Sequence, residues 1–204
     1  NKRPNVQFEY GNIEKLESNK QQACITVNGL THTAPWIFNS ALRPNAPKGY
    51  QHLLQHFKGY VLKTNQDTFD PASATFMDFR IDQNNETRFV YVLPFDSKTA
   101  LVEYTLFSSS LLPDGQYDTD LQHYLKHFLK LDHYEILETE AGVIPMTDAP
   151  FARLHSPRVM NIGIAGGRAK ASTGYAFKRI LHQAQAITKH LTETGSPLFP
   201  QSQF

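Results

Sequence analysis

RFVYVLPFDSKTALVEYTLFS, residues 88–108, contains two runs of β-branched and aromatic residues on either side of Asp96-Ser97-Lys98. Such runs, separated by short turn sequences, are typical of antiparallel strands. Similar runs precede this stretch, and a second polar turn, Asp82-Gln83-Asn84-Asn85, separates the last of them from it. The sequence therefore predicts a mainly antiparallel sheet with strands at residues 59–64, 74–81, 88–95 and 100–108.

Glu103 is the only acidic residue in the apolar run from Leu101 to Phe107. A carboxyl group with apolar neighbours should have a raised pKa, which makes Glu103 a candidate proton donor. The alternative is a carboxylate that lies at a solvated sheet edge or pairs with a basic residue. Strand alternation places Leu101, Glu103, Thr105 and Phe107 on one face, and Val102, Tyr104 and Leu106 on the other.

Two helices are predicted after these strands. Residues 118–131 have apolar side chains at helical spacing, an Asp at the start and a Lys near the end, so this amphipathic helix should cover one face of the sheet. Residues 159–164 predict a further strand, which a glycine-bearing turn connects to a helix from about 173 to 191. The predicted fold class is α+β, a mainly antiparallel sheet covered by helices.

The N-terminal region is predicted to be a β-meander, with a hairpin signal at Asn28-Gly29. Prolines and an asparagine interrupt the pattern between Leu42 and Lys48, which predicts a linker or a domain crossing there. The predicted strands of the meander are residues 6–10, 23–27, 30–33 and 36–38.

Composition excludes several classes of protein. With 20 basic and 19 acidic residues, the net charge of +1 provides no long-range field for nucleic acid. The single Cys24 excludes an intrachain disulfide and a cysteine-rich zinc site, and it fits a reducing compartment such as the cytoplasm. No run approaches the roughly 20 apolar residues that a membrane-spanning helix needs.

A glycine-rich segment, Gly163-Ile164-Ala165-Gly166-Gly167, is followed by Thr173-Gly174 before the last predicted helix. Glycines let a backbone approach a ligand closely, so a flavin or a phosphate could bind there. The alternative is a strand-to-helix turn that needs glycines for packing. No G-x-G-x-x-G or P-loop motif occurs in the chain. Asp78 and Arg80 could form an ion pair beside a pocket or line a wet sheet face.

Four segments in the same order resemble the flavin-dependent lycopene cyclases of carotenoid biosynthesis. They are similar to that family's Met-Asp-aromatic-Arg strand, its acidic Leu-Glu-Glu-Thr motif, its Ile-Pro-Met turn and its Ser-Thr-Gly-Tyr run. Here they read Phe76-Met77-Asp78-Phe79-Arg80 after Phe69-Asp70, residues 89–95 with Leu101-Val102-Glu103-Tyr104-Thr105, Gly142-Val143-Ile144-Pro145-Met146-Thr147, and residues 163–175. Residues 6–41 also resemble the meander of flavin hydroxylase-type FAD domains.

The resemblance implies a division into domains. Residues 1–45 would be the remaining part of an FAD-binding domain, residues 46–157 a substrate-binding sheet domain, and residues 158–204 the strand, glycine turn and C-terminal helix of the FAD domain. The resemblance does not include the family's N-terminal half, where the dinucleotide-binding turn lies. It therefore implies that this sequence is the C-terminal part of a longer cyclase.

Roles for individual residues also follow from the resemblance. It implies that Glu103 is the catalytic acid, with Asp78 as a second catalytic residue. The family commonly has two adjacent acidic residues, and because Tyr104 takes the second position here, the acid role falls to Glu103. The implied flavin-binding residues are Gly163, Gly166, Gly167, Thr173 and Gly174, and the implied substrate-binding residues are Tyr91, Tyr104, Phe107 and Met146.

The activity implied is an intramolecular lyase or isomerase that cyclises the ψ end groups of lycopene to ionone rings by protonation, without net redox. Reduced FAD, maintained by NAD(P)H, would lie against the site but would not be held tightly by this part of the enzyme alone. The expected partners are an acyclic carotenoid and, by peripheral contact, a membrane; the expected location is cytoplasmic, with no metal. The alternatives are a flavin-dependent monooxygenase and a non-catalytic module that binds apolar ligands.

Overall fold

The computed structural model describes residues 4–41, 47–113 and 115–200. Contacts between residues divide the chain into two compact units. The terminal unit comprises the described residues within Asn1–Asn45, Pro150–Lys170 and Tyr175–Phe204, and the central unit comprises those within Ala46–Ala149 and Ala171–Gly174. The chain therefore passes from the terminal unit to the central unit and back twice.

Eleven strands and two helices are present in the described residues. In chain order they are β1 (Ile13–Ser18), β2 (Ala23–Val27), β3 (Leu30–Ala34), β4 (Ile37–Asn39), β5 (His52–Lys63), β6 (Thr75–Asp78), β7 (Thr87–Pro94), β8 (Thr99–Ser108), α1 (Gln116–His127), β9 (Glu135–Thr147), β10 (Leu154–Ser156), β11 (Val159–Asn161) and α2 (Phe177–Thr194).

The central unit is built on a five-stranded antiparallel sheet with the order β6-β7-β8-β5-β9. β7 and β8 form a hairpin, and β5 pairs with β9 along its whole length and with β8 from Leu54 to Lys63. Because β5 is bonded on both sides, its register fixes which residues of β8 and β9 lie in the same row across the sheet.

One face of this sheet packs against α1. The alternate residues Val102, Tyr104 and Leu106 of β8 point to that face and are buried with Leu121 and Tyr124 of the helix. These are the apolar positions expected from strand alternation and helical spacing, so the pattern that predicts the elements also produces this core.

The remaining alternate side chains of β8 point to the opposite face of the sheet. Leu101, Glu103, Thr105 and Phe107 of β8 point to it, and Tyr91 of β7 is directly opposite Glu103. This face is called the open face below, because within the central unit no helix packs on it.

A bulge in β6 places Phe76 and Asp78 on opposite faces of the sheet. Thr75 pairs with Val92 and Asp78 with Val90, so Phe76 and Met77 together oppose the single residue Tyr91. Met77 has a positive φ of 59°, a conformation that a bulge accommodates. As a result, the Phe76 ring packs on Tyr91 at the open face, whereas Asp78 points toward α1.

The terminal unit contains two small sheets and α2. β1, β2 and β3 form an antiparallel meander, and β11 pairs antiparallel with β10 and parallel with β4. α2 ends at Gly195, whose φ of 72° is the left-handed conformation common after helices.

The predicted α+β class, with a mainly antiparallel sheet and helices, is confirmed, and the strands predicted at 88–95 and 100–108 are present as β7 and β8. The predicted strand at 6–10 is wrong, and the first strand is β1 instead. A bulge between Ile13 and Lys15 breaks the alternation of β1 and hides it from a period-two pattern. β9 was also missed. Most of the predicted linker at 42–48 lies outside the described residues.

No helix in the described parts of the chain combines the length and the apolar character needed to cross a bilayer.

In the structure the chain returns to the terminal unit at Pro150, whereas the predicted boundary was at residue 158. The assignment of the terminal unit to an FAD-binding domain stays a prediction.

Candidate active site

Glu103 lies in the middle of β8 on the open face, where it is partly buried. The Thr105 hydroxyl donates a hydrogen bond of 2.8 Å to Glu103 Oε1. On the neighbouring strands the residues opposite Glu103 are Tyr91 on β7 and Gly59 on β5. Glu103 therefore points away from the α1 core and into a row of side chains that crosses the sheet.

Glu140 completes this row, and sequence reasoning missed it. Gly59 is opposite Glu103 on one side and opposite Glu140 of β9 on the other, so all three residues share one face. A β-carbon on Gly59 would lie 3.2 Å from Glu140 Cγ and 3.3 Å from Glu103 Cβ. The two glutamates thus border the space that a side chain at position 59 would fill.

The surroundings of Glu103 favour its protonated form. The pKa of Glu103 is raised to about 7, first by burial and then by the hydrogen bond and the negative charge of Glu140, whereas Thr105 lowers it. Among the residues that the structure describes, no lysine, arginine or histidine forms an ion pair with either glutamate. At neutral pH this carboxyl group can therefore hold a proton and give it up.

Aromatic rings lie beside Glu103 on the open face. Tyr91 packs against Phe76 at 5.5 Å and against Phe89 at 5.2 Å, and Phe89 packs against Phe107 at 5.5 Å between ring centroids. Ring faces carry the negative part of the aromatic quadrupole and attract cations. The cluster offers an apolar, electron-rich surface next to the carboxyl group.

Three of the four predicted substrate-binding residues share the face of Glu103. Tyr91 is directly beside it, and Phe107 is further along β8. Met146 is buried on the same face, six residues beyond Glu140 along β9, which corresponds to roughly 20 Å in a strand. Of these three residues, only Tyr91 is next to Glu103, and Phe107 is connected to Tyr91 through the Phe89 ring.

The fourth, Tyr104, lies on the other face, which corrects the prediction. It is 3% exposed in the α1 core, and its hydroxyl accepts a hydrogen bond of 3.1 Å from Arg88 Nη1. Burial raises the pKa of Tyr104 to about 12. Because neighbouring residues of a strand point to opposite faces, Tyr104 cannot line the surface that Glu103 faces.

Asp78 also needs a correction, because the structure gives it a structural ion pair. Arg80 binds both of its carboxylate oxygens, at 2.8 and 2.5 Å, and the Tyr124 hydroxyl donates to Oδ2 at 2.8 Å. Arg80 is the main cause that lowers the pKa of Asp78 to about 2. Asp78 is therefore an ionised group that ties β6 to α1, and it is not carried forward as a proton donor.

The predicted flavin-binding glycines of the terminal unit make contacts within the chain. The Gly163 N–H donates to Gln183 Oε1 at 3.0 Å, and the N–H groups of Gly166 and Gly167 donate to backbone carbonyls. A β-carbon on Gly166 would lie 2.6 Å from the Asn161 carbonyl oxygen. These donors are not available to a flavin, so this segment fits a tightly packed turn better than a flavin cradle.

Gly174 in the central unit also packs against the chain itself. It has a φ of 70°, and a β-carbon there would lie 1.7 Å from Gln55 Oε1. Gln55 is buried on β5, and its Oε1 has no hydrogen-bond partner among the residues that the structure describes. The neighbouring Thr173 is partly buried. The space beside Gly174 is occupied by the Gln55 amide, which accounts for the glycine without a ligand. The flavin-binding roles of Thr173 and of the four glycines stay predictions.

The sequence carried weak signals for the two residues that were missed. A glycine in the interior of a strand marks a weak point or a close approach, but the predicted strand at 59–64 began at Gly59, so this signal appears only with the longer β5. Glu140 lies in an acid-rich segment that ends just before Gly142, so the segment did not look like a strand. The described residues contain no group of three or more His, Cys, Asp or Glu side chains suited to a metal ion.

The chain is similar to known proteins along most of its length. It is 28% identical to neoxanthin synthase, chloroplastic, of Solanum tuberosum, over 95% of this chain and 43% of that protein. The chain thus spans less than half the length of this curated relative.

Solved structures share the fold. A geranylgeranyl bacteriochlorophyll reductase-like protein from Thermoplasma acidophilum has a TM-score of 0.61 at 14% identity, covering 94% of this chain and 51% of that chain. The p-nitrophenol 4-monooxygenase PnpA from Pseudomonas putida has a TM-score of 0.54 at 12% identity, covering 90% and 49%. Both likenesses concern the fold alone. The family model described as lycopene cyclase protein matches residues 3–201, and the chain therefore belongs to the lycopene cyclase family.

Proposed function

We propose that this chain is part of a carotenoid cyclase that closes the acyclic end groups of lycopene into rings, and that Glu103 is the proton donor. The observation that carries the proposal is the raised pKa of Glu103, about 7, on a sheet face lined by aromatic rings. General acid catalysis works best when the pKa of the acid lies near the working pH. Membership of the lycopene cyclase family supports this choice of reaction.

The reaction needs no net oxidation or reduction. The O–H bond of the Glu103 carboxyl breaks as a C–H bond forms at the terminal double bond, which leaves a tertiary cation. The next double bond attacks this cation and closes the ring, and a proton then leaves a ring carbon and returns to a carboxylate. Tyr91 and the rings packed on it would face the positive charge while it exists.

A flavin is the cofactor that the resemblance and the hydroxylase-type fold suggest. In its reduced form it would supply electron density near the cation. Because the donors of Gly163, Gly166 and Gly167 bind within the chain, no step of the proposed mechanism depends on that group. The use of NAD(P)H and peripheral contact with a membrane are further parts of the proposal.

The test is Glu103→Gln in the full-length protein, expressed in lycopene-accumulating cells whose pigments are separated by chromatography. Glutamine keeps the shape of the side chain but cannot donate an acidic proton, so ring formation should fall by about 10²–10⁴-fold. Glu138→Gln is the matched control, because Glu138 is exposed on the same strand and face as Glu140. Ring formation in Glu103→Gln at the rate of the wild type would rule out the acid role.

The same cultures separate the rival functions. A monooxygenase would consume reduced nicotinamide only in the presence of oxygen and would leave lycopene uncyclised. Binding of lycopene without any new pigment would instead favour a non-catalytic module.

A further inference from the structure

Gly59 brings together two carboxyl groups from strands that are not neighbours. Adjacent strands lie about 4.8 Å apart, so residues on β8 and β9 are separated by about twice that distance. A side chain at position 59 would stand between them, since its β-carbon would lie 3.0 Å from Leu101 Cδ1 and 3.2 Å from Glu140 Cγ. With glycine there, the side chains of Glu103 and Glu140 can meet across β5.

The two carboxyl groups form a pair without a counter-ion. Thr105 donates to Glu103, and no ion pair to either glutamate exists in the described residues. Two carboxylates in hydrogen-bond contact repel each other when both are ionised, and one shared proton removes the repulsion. Glu140 is exposed and Glu103 is partly buried. Burial penalises a charge, so a proton shared by the pair would reside mainly on Glu103.

The other titratable groups near the pair do not supply a cation. On the open face these are Tyr91 of β7, opposite Glu103, and Glu138 of β9, two residues before Glu140. Lys58 and Tyr60 flank Gly59 on β5, but both point to the other face, where they bind Asp118. Among the described residues that the strand register places beside the pair, none therefore supplies a positive charge.

We propose that Glu140 is a positioning residue that shares one proton with Glu103 across Gly59 and so keeps Glu103 in the protonated form that cyclisation requires. This role rests on the proposed function of Glu103. When Glu103 gives its proton to the substrate, both carboxylates are ionised. The proton released from the ring carbon then returns the pair to its singly protonated state, so the cycle needs no other reactant.

The test is an infrared pH titration of the full-length protein, which follows the C=O stretching band of protonated Glu103. The band is assigned by its absence in Glu103→Gln. In Glu140→Gln the negative charge is gone and the amide can donate to Glu103, so the midpoint of the band should fall by about one pH unit or more. Glu140→Ala removes the charge alone and should shift the midpoint in the same direction.

Two further variants separate this role from a general structural one. Glu138→Gln removes a charge from the same strand and face and should leave the midpoint unchanged. Gly59→Ala keeps both glutamates but places a β-carbon between them, so the midpoint should fall although no charge is lost. If Glu140→Gln fails to fold, Gly59→Ala and Glu140→Ala still decide the question.

Activity gives an independent reading. At a pH above the new midpoint, Glu140→Gln should have a kcat about tenfold below that of the wild type with KM little changed, and a lower pH should restore kcat. A midpoint in Glu140→Gln equal to that of the wild type would overturn the shared proton, even if Glu103→Gln is inactive. Full activity of Glu103→Gln would overturn the proposed function instead, whatever the titration shows.

Discussion

The carboxyl groups on the two faces of the central sheet have opposite kinds of charged partner. On the face covered by α1, each carboxylate has a cation: Asp78 binds Arg80, Asp118 binds Lys58, and Glu86 binds Arg88. On the open face, Glu140 is the one charged partner that Glu103 has among the described residues.

The pKa values of Asp78 and Glu103 are shifted in opposite directions, because a cation is the main influence on Asp78 and burial is the main influence on Glu103. Asp78 is only 7% exposed, yet Arg80 lowers its pKa to about 2. Glu103 is partly buried and lies beside Glu140, and burial first and Glu140 second raise its pKa to about 7. Burial raises the pKa of a carboxyl group, and a cation that binds the group can reverse that shift, as Arg80 does for Asp78.

Glu140→Lys should give Glu103 a cationic partner, as the carboxylates on the α1 face have. Of the variants proposed here, it should reduce ring formation the most. A lysine at this position would pair with Glu103 and lower its pKa well below 7. The protonated fraction at neutral pH, and the rate of ring formation with it, should fall by about 10²–10³-fold. The measurement is pigment chromatography at pH 7, combined with the infrared band of protonated Glu103.

The control for that variant is Glu138→Lys, which makes the same change of charge on the same strand and face. It should retain most of the activity, because Glu138 is opposite Val61 and not in the row of Gly59. Ring formation by Glu140→Lys at the wild-type rate would mean that the charge at position 140 does not act on Glu103.

Asp78→Asn tests the face covered by α1, and it should lower the stability of the fold. The variant loses the Arg80 ion pair and weakens the hydrogen bond from Tyr124, so the free energy of unfolding should fall by about 2–3 kcal/mol. Because Arg80 remains solvated, the loss should stay below that of a fully buried pair. Denaturant unfolding measures it, with the exposed Asp82→Asn as the control.

The same variant examines the predicted catalytic role of Asp78. Folded Asp78→Asn enzyme should keep the pH profile of the wild type, since Asp78 points to the α1 face. A shifted or abolished profile in well-folded protein would return Asp78 to the list of catalytic candidates.

The dependence of stability on pH should show the smallest of these effects. The pKa of Glu103 is about 7 in the folded protein and near 4.5 when unfolded, so between these values the folded state holds more protons. Stability should therefore fall as the pH rises from about 4.5 to about 7, by about 1–2 kcal/mol after allowance for solvent access. Unfolding by denaturant at pH 5 and pH 8 measures the difference.

Glu103→Gln should remove this fall and be more stable than the wild type at pH 8. Asp78 has the opposite sign, because its lowered pKa gives stability that is present above about pH 4 and is lost toward pH 2. Equal slopes between pH 5 and pH 8 in the wild type and in Glu103→Gln would contradict the raised pKa.

The sequence predicted the parts of the sheet whose pattern is local. β7 and β8 alternate regularly and are joined by a short polar turn, so their existence, pairing and faces could be derived from residues 88–108. The apolar neighbours of Glu103 on its own strand could be derived in the same way. The strand that carries Glu140 could not, because its first half is acidic and exposed and its second half contains Pro145.

The partner of Glu103 could not be predicted, because it is determined by the register of strand pairing and a single sequence does not reveal that register. Glu140 reaches Glu103 only because β5 lies between β8 and β9 and has a glycine at the crossing. The bulge at Met77 had a similar effect on Asp78, since it turned toward α1 a residue that looked like part of the same site. Side-chain direction at both places is set by long-range pairing.

The pairing of β5 with two strands at once has a consequence for how this part of the molecule can vary. Deleting one residue within β5 or β8 would exchange the faces of every later side chain in that strand, and Tyr104 would take the direction of Glu103. Insertions should therefore be tolerated in the turns at residues 82–86 and 96–98, and not within these strands. The backbone hydrogen bonds of β5 with β8 and β9 fix the spacing of the Glu103 and Glu140 carboxyl groups. Length variation among related chains should therefore be confined to the turns between the strands.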